Sequence, residues 1–212
     1  MWATSASITS IEQCLNEAAL VKLEQWARHN AMTVSSSRTT YQLFTLSIKQ
    51  PSVALYYQQS PLEECDLSRY LGITLDRRLT WKAHIENCAG KALKRTRMLK
   101  RLTATKWGAS QDVLSTTYKT YIRPILDYGS DVTVTASDTT TKRLDRVQNT
   151  FLRTITGVRK STPIAAMKAQ TKILPLQAHR EKTALKFWER NRRVYRGLLE
   201  KYRYATARLK TQ

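Results

Sequence analysis

The chain has 212 residues, 42% of them apolar, and a formal net charge of +20. That length and apolar content can build the core of one or two domains. Six glycines, three cysteines and the lack of a long apolar run exclude a collagen-like protein, a disulfide scaffold and a membrane-spanning protein.

The cysteines, the histidines and the N-terminus indicate where the protein works. The first residues contain neither the basic stretch nor the apolar stretch of a secretory signal. The cysteines lie far apart, as reduced thiols of intracellular proteins do, and the histidines lack the spacing of metal ligands. We therefore expect an intracellular protein, nuclear or cytoplasmic, that is not secreted and binds no metal.

The positive charge is confined to one part of the chain. Residues 1–76 contain five Lys and Arg against seven Asp and Glu, whereas residues 77–212 contain thirty-one against nine. A polyanion gains affinity from such a surface because bound phosphates release their counterions. A basic protein that uses charge for solubility would have no reason to confine it, so we expect a nucleic-acid partner and no membrane.

The first 76 residues predict a helix followed by short antiparallel strands, an α+β arrangement. Apolar residues at helical spacing predict a half-buried helix from Ile8 to Trp26, capped by Thr9 or Ser10, whose inner face also includes Lys22. Residues 41–46, 53–57 and 70–75 are rich in aromatic and β-branched side chains and predict strands. Gly72 lies inside the last of these segments, where glycine marks a bulge or a close backbone approach.

From Trp81 onward the pattern predicts only helices. The first has one apolar face and ends at Trp107-Gly108; its inner residues are Trp81, Ile85, Cys88, Ala89, Ala92, Leu99 and Leu102. A second helix begins near Leu114 and is interrupted at Pro124. A third is capped by Asp138, a fourth begins at Thr162-Pro163, and a long one runs from about Gln177 into a basic tail. In the third, Leu144, Val147, Phe151 and Ile155 point inward.

Five ordered blocks then resemble a known family. Residues 30–46 are similar to the segment that follows the catalytic hairpin in reverse transcriptases of non-LTR retrotransposons, jockey-like and CR1-like elements in particular. Further blocks resemble later segments of the same enzymes: YLGITLD at 70–76 with LTW at 79–81 and His84-Ile85, YIRPILDYG at 121–129, LDRVQN at 144–149, and STP at 161–163 with LPL at 174–176.

The resemblance implies a division of the chain and a parent activity. Residues 1–76 would form the C-terminal part of a palm, 77–159 a helical thumb, and 160–212 a helical connector with a basic tail. The parent enzyme would copy an RNA template from a DNA primer, using dNTPs and Mg²⁺. Its metal-binding A-D-D turn, its fingers and its first palm aspartate would precede Met1. We therefore expect Met1 to be an internal methionine, and the chain to be a truncated copy or a gene-model fragment.

The chain therefore carries no catalytic residue and no bound cofactor by this interpretation. Its own acidic groups predict other roles: Glu63, Glu64 and Asp66 a solvated loop, and Asp127, near Asp131, a helix cap or a local ion pair. Arg38 occupies the position of a family lysine that is proposed to protonate pyrophosphate. A guanidinium cannot give up its proton, so Arg38 either neutralises triphosphate charge or is an ordinary surface residue.

Two sets of residues are candidates for nucleic-acid binding. The resemblance makes Tyr70, Leu71 and Gly72 the primer grip, the alternative being a packed strand with a tolerated glycine. The cations Arg78, Lys82, Lys94, Arg97 and Arg101 are candidates for phosphate binding to an RNA–DNA hybrid. Residues 91–106 contain seven basic residues and no acid, and like charges four residues apart destabilise a helix unless a partner neutralises them.

Two other functions remain open from the sequence. One is a non-enzymatic nucleic-acid-binding module, a degraded or domesticated copy; the other is a helical protein-interaction domain with a basic surface. The coding sequence upstream of Met1 would distinguish a polymerase from a nucleic-acid-binding module, since only a polymerase needs an in-frame A-D-D turn there.

Overall fold

A computed structural model describes residues 1, 3–5, 7–48, 51–101, 103 and 108–195. The chain divides into two units, Met1–Leu79 and Thr80–Gln212. The first combines helix with short strands, and the second is helical throughout its described part, which confirms the α+β class. Leu102, Trp107 and the basic tail after Tyr195 lie outside the described residues. The assignment of palm, thumb and connector to 1–76, 77–159 and 160–212 stays a prediction.

The N-terminal helix is confirmed, but its buried face is not the predicted one. It consists of α1 (Ile8–Gln13), a π-helical segment (Cys14–Ala19) and α2 (Leu20–His29), and its N-cap is Ser7 rather than Thr9 or Ser10. A π-helix has more residues per turn than an α-helix, so the inward positions move along the sequence. Leu20 and Ala27 are buried, whereas Trp26 is 54% exposed and Lys22 is exposed.

The strands are shorter than predicted and form three separate pairs. They are β1 (Thr40–Tyr41), β2 (Tyr56–Tyr57), β3 (Ser60–Pro61), β4 (Glu63–Glu64), β5 (Leu67–Tyr70) and β6 (Ile73–Asp76). The pairs β2–β3 and β5–β6 are antiparallel, as predicted, whereas β1–β4 is parallel and corrects that prediction. Glu63 and Glu64 are exposed, as predicted, but they form a strand rather than a loop.

Only Tyr56–Tyr57 of the predicted strand at 53–57 forms a strand, and side chains of the N-terminal helix bond to the backbone of this segment. Glu12 accepts a hydrogen bond from the Ala54 N–H at 2.7 Å. Asn16 donates to the Ala54 carbonyl and accepts from the Tyr56 N–H, both at 3.0 Å. The alternation predicted for this segment is present, since Val53, Leu55 and Tyr57 are buried together with Leu20 and Leu62 as the core of this unit.

The second unit is built from six α-helices and two π- or 3₁₀-helical segments in its described part. They are α3 (Lys82–Lys100), α4 (Gln111–Thr117), a π-helical segment (Tyr118–Ile122), α5 (Arg123–Leu126), a 3₁₀ turn (Thr133–Thr135), α6 (Asp138–Thr156), α7 (Ile164–Thr171) and α8 (Leu176–Val194).

The predicted inward faces of α3 and α6 are confirmed. Every described residue of the predicted α3 face is buried, and Ile85 and Ala92 are 1% and 0% exposed. Leu144, Val147, Phe151 and Ile155 of α6 are buried as well. Phe151 stacks on Tyr118 with ring centroids 5.0 Å apart, which joins α6 to the π-helical segment. The amphipathic pattern decides these faces because burying their apolar area is the main driving force for packing.

Several helices begin or end at residues other than those predicted. Ser137, not Asp138, is the N-cap of α6, and Pro163 is the N-cap of α7 rather than its first turn. Helix α3 ends at Lys100, well before Gly108. The helix that contains Pro124 continues to Leu126. A proline ring clashes with the carbonyl four residues earlier, and the wide π-helical turn before Pro124 includes that carbonyl.

Candidate nucleic-acid interface

Helix α3 is oriented by its buried start. Trp81, its N-cap, has a left-handed backbone (φ 64°), is 5% exposed, and donates its indole N–H to Thr135 Oγ1 at 2.9 Å. The apolar stripe that follows packs against α5 and α6. A helix held on one face presents the opposite face to solvent, so Lys94, Arg97 and Arg101 are all exposed, as predicted.

The exposed face of α3 has cations without acidic partners. Lys91, Lys94, Arg97, Lys100 and Arg101 are exposed, and none forms an ion pair or a side-chain hydrogen bond with a described residue. Because like charges along a helix repel, this face costs stability unless a polyanion neutralises it.

Arg95, on the same helix, has a different role. Its Nη1 donates to the Tyr121 carbonyl at 2.7 Å, and its guanidinium lies 4.1 Å from the centroid of the Tyr121 ring. Both contacts hold α3 against the neighbouring π-helical segment, and a cation over an aromatic ring adds to packing. Arg95 is therefore a structural cation and does not belong to the exposed set.

The other two predicted phosphate contacts, Arg78 and Lys82, are exposed and belong to different units. Arg38 is exposed at the end of a 3₁₀ turn, Ser36–Arg38, directly before β1. Its guanidinium forms no hydrogen bond or ion pair with a described residue.

The Tyr70–Gly72 segment is a hairpin turn rather than part of one strand, which corrects the predicted strand at 70–75. Tyr70 pairs with Ile73, and the two residues between them have positive φ, 47° at Leu71 and 80° at Gly72. Positive φ at both positions is the type I′ geometry that matches strand twist, and it explains the glycine. Tyr70 and Leu71 are 68% and 75% exposed, so the turn presents an apolar tip.

The half-buried side chain of Gln42 fixes this hairpin within the first unit. Gln42 donates through Nε2 to the carbonyls of Asp66 at 2.8 Å and Leu75 at 3.1 Å, and its Oε1 accepts from the Ser68 hydroxyl. These bonds reach both strands of the hairpin. Of the predicted strand at 41–46, only Tyr41 belongs to a strand, β1 (Thr40–Tyr41). The next residue, Gln42, contacts the hairpin through its side chain.

The sequence interpretation foresaw a local ion pair at Asp127 but not its extent. Asp127 Oδ2 lies 3.2 Å from Arg123 Nε and 3.0 Å from His179 Nδ1, and both residues of the Arg123–Asp127 pair are largely buried. Arg180, 6% exposed, donates to Thr133 Oγ1 at 2.6 Å. Burial raises the pKa of the Asp127 carboxyl, while His179 and Arg123 oppose that shift. Burial also lowers the pKa of Arg180.

The sequence did not predict that Gln148 holds the start of α8 in place. Gln148 is 0% exposed, donates to the Leu174 carbonyl at 3.0 Å, and accepts from the Leu176 N–H at 3.2 Å. With the charged cluster at Asp127, it attaches the start of α8 to the rest of the unit. The signal was available, because a polar residue between inward-facing Val147 and Phe151 has to find buried partners.

Within the described ranges, no three His, Cys, Asp or Glu side chains come together as metal ligands would. None of the described helices combines the length and the apolarity that crossing a bilayer requires.

Comparisons with known proteins connect this arrangement to a family. The chain is 28% identical over 194 residues to the probable RNA-directed DNA polymerase from transposon X-element of Drosophila melanogaster, which covers 84% of the chain and 21% of that protein. It is 27% identical over 162 residues to the probable RNA-directed DNA polymerase from transposon BS of the same organism, covering 73% of the chain and 18% of that protein.

The chain thus spans about a fifth of the length of these curated relatives. No family model and no solved structure matches it. Because the similarity extends over most of the chain, the predicted resemblance to reverse transcriptases of non-LTR transposons is confirmed.

Proposed function

We propose that this chain is the part of a transposon reverse transcriptase that holds the template–primer duplex, an RNA–DNA hybrid. The exposed cations of α3 would contact the phosphates of the hybrid. Contacts of this kind give register and affinity but little sequence information, as an enzyme that copies any template requires. The A-form geometry of the hybrid suits recognition by shape.

The observation that supports this proposal best is the uncompensated charge on α3. Glu86, an acidic residue of the helix itself, pairs with Arg143 at 3.2 Å and so does not neutralise the exposed face. Arg95 is held by Tyr121. The remaining cations, Lys91 to Arg101, have no internal use among the described residues, which favours an external polyanion.

The exposed Tyr70–Gly72 turn would serve as the primer grip. Its position at a two-residue hairpin brings backbone to the surface, where the end of a primer could approach closely. Arg38 would contribute charge toward a triphosphate and no proton. In the whole polymerase, carboxylates outside these residues would hold Mg²⁺, which would in turn bind the triphosphate of a dNTP.

The test is the salt dependence of hybrid binding by the full chain, measured by fluorescence anisotropy with a labelled RNA–DNA hybrid. Replacing Lys94, Arg97 and Arg101 by Ala removes three phosphate contacts. Each contact contributes about 0.9 to the slope of log K against log salt, so we expect the slope to fall by about 2 to 3 and the affinity in 0.1 M salt by about 10²- to 10³-fold.

A matched control removes the same charge elsewhere. Lys182, Lys186 and Arg190 are exposed on α8 at spacings of one turn, and their triple Ala variant should keep most of the slope. Equal losses in both variants would mean that net charge alone attracts the hybrid, and salt-insensitive binding by the native chain would refute phosphate recognition altogether.

A further inference from the structure

A groove runs between α3 and α6. The Arg143–Glu86 pair joins the N-terminal parts of the two helices at 3.2 Å, and a cleft at the other end joins Lys100 of α3 to Thr150 and Thr154 of α6. The helices are therefore parallel, and their C-terminal ends meet at this cleft. The cleft has a volume of about 650 Å³, larger than a phosphate group requires.

The lining of this cleft is basic. Lys100, Arg153 and Lys160 contribute cations, and no carboxylate is present among the described residues that line it. Lys100 and Lys160 are exposed and have no described ion-pair partner. The other polar lining is neutral: Thr150 and Thr154 donate their hydroxyls to helix carbonyls.

Helix ends alone do not account for these cations. A cation near a helix C-terminus neutralises the partial negative charge of the last carbonyls. Arg153 lies in the last turn of α6, but its Nη1 and Nη2 donate to the carbonyls of Asn149 at 3.4 Å and Lys160 at 3.5 Å, neither of which is one of the last carbonyls of the helix. Its Nε–H is nevertheless buried without a described partner, and a buried donor of this kind loses free energy unless a ligand accepts from it.

We propose that this cleft binds a phosphodiester group of one nucleic-acid strand, as a second anchor beyond the exposed face of α3. The choice of ligand rests on the proposed function, because the strand would arrive from the hybrid that α3 holds. Lys100 is the link, since it lies on α3 and lines the cleft. Lys160 is the discriminating residue, since it lies in the loop after α6 and not on the α3 face.

The experiment compares Lys160→Ala with Lys119→Ala in the full chain. Lys119 is exposed in the π-helical segment and does not line the cleft, so it matches the charge change. The Lys160 carbonyl that accepts from Arg153 is unchanged by the substitution. Loss of one phosphate contact should lower hybrid affinity in 0.1 M salt about tenfold and the salt slope by about 1, whereas Lys119→Ala should change neither.

A second probe separates the two proposals. A 5′-phosphorylated tetrathymidylate is titrated into the ¹⁵N-labelled chain, and the amide shifts of Thr150, Thr154 and Lys160 are followed. Saturable shifts that are lost in Lys160→Ala and kept in Lys160→Arg support the cleft. If the native chain binds the hybrid with the expected salt slope but Lys160→Ala equals Lys119→Ala, only the cleft proposal is refuted; a salt-insensitive native chain refutes the proposed function.

Discussion

Replacing Asp127 by Asn tests what holds the second unit together. The carboxylate accepts contacts from Arg123 and His179, and the side chains of Arg123 and Asp127 are only 12% and 15% exposed. Because burial raises the pKa of the Asp127 carboxyl, the pair itself adds little net stability. Asparagine, however, would leave the Arg123 guanidinium buried without a counter-charge, and breaking a buried pair in this way costs about 3–5 kcal/mol.

The measurement is urea unfolding followed by circular dichroism at 222 nm, since the unit is helical. With a slope of about 2 kcal/mol per molar urea, that cost lowers the midpoint by roughly 1.5–2.5 M. A second variant, Asp127→Asn with Arg123→Gln, removes the stranded charge and should recover most of the loss. Glu189→Gln, an exposed change of the same charge on α8, should alter stability by less than about 0.5 kcal/mol.

Two outcomes would refute this reasoning. If Asp127→Asn shifts the midpoint no more than Glu189→Gln does, then the cluster is solvated and does not attach α8. If adding Arg123→Gln makes the protein less stable still, then the cost arises from lost packing rather than from an uncompensated guanidinium.

Three further predictions concern backbone geometry and thiol access. Gly157 follows α6 with φ +67°, and a Cβ there meets no atom within 4 Å, so Gly157→Ala should lower the free energy of unfolding by about 1–2 kcal/mol through its left-handed backbone alone. Gly90→Ala, within α3, should raise the free energy of unfolding by about 0.5–1 kcal/mol. Urea midpoints measure both changes, and equal effects of the two substitutions would contradict the explanation. Ellman's reagent should label the exposed Cys14 at once and Cys88 only on unfolding, because Cys88 is buried and burial raises the pKa of its thiol. Prompt labelling of Cys88 in the folded chain would contradict this prediction and show that α3 opens. Leu71→Asn should raise the thermal unfolding midpoint of the first unit, because asparagine adopts the left-handed backbone at φ 47° with less strain than leucine does. A lowered midpoint would mean that the leucine side chain makes stabilising contacts that asparagine loses.

The helical faces of the second unit could be predicted because burial there follows a single period. In α3 and α6 the apolar residues recur at three- and four-residue steps without interruption, and the same residues are buried. The N-terminal helix shows where that argument fails. Its π-helical segment changes the number of residues per turn, so residues after Cys14 that continue the sequence pattern, such as Trp26, turn toward solvent.

The residues missed in the candidate site depend on contacts between distant segments. Nothing local predicts that His179 approaches Asp127, or that Gln148 bonds to the segment before α8. The prediction of a strand at 53–57 fails for a related reason. Asn16, a side chain of the N-terminal helix, bonds to the backbone of Ala54 and Tyr56, and a prediction that considers only pairing between strands cannot include such bonds. By contrast, the exposure of Lys94, Arg97 and Arg101 could be predicted, because the helical period alone places them opposite the buried face of α3.

The charge asymmetry coincides with the division of the chain into two units. The unit Met1–Leu79 has seven basic and seven acidic residues, while Thr80–Gln212 has twenty-nine basic and nine acidic, so the whole formal excess of +20 belongs to the helical unit. Two of those nine acids, Asp127 and Glu86, already serve internal pairs. Glu86 joins α3 to α6 through Arg143, and Asp127 at the end of α5 contacts His179 of α8, whereas the cations Lys94, Arg97 and Arg101 remain exposed. A surface of that kind attracts any phosphate backbone without reading its sequence, so the duplex binding proposed above would depend on the shape of the nucleic acid.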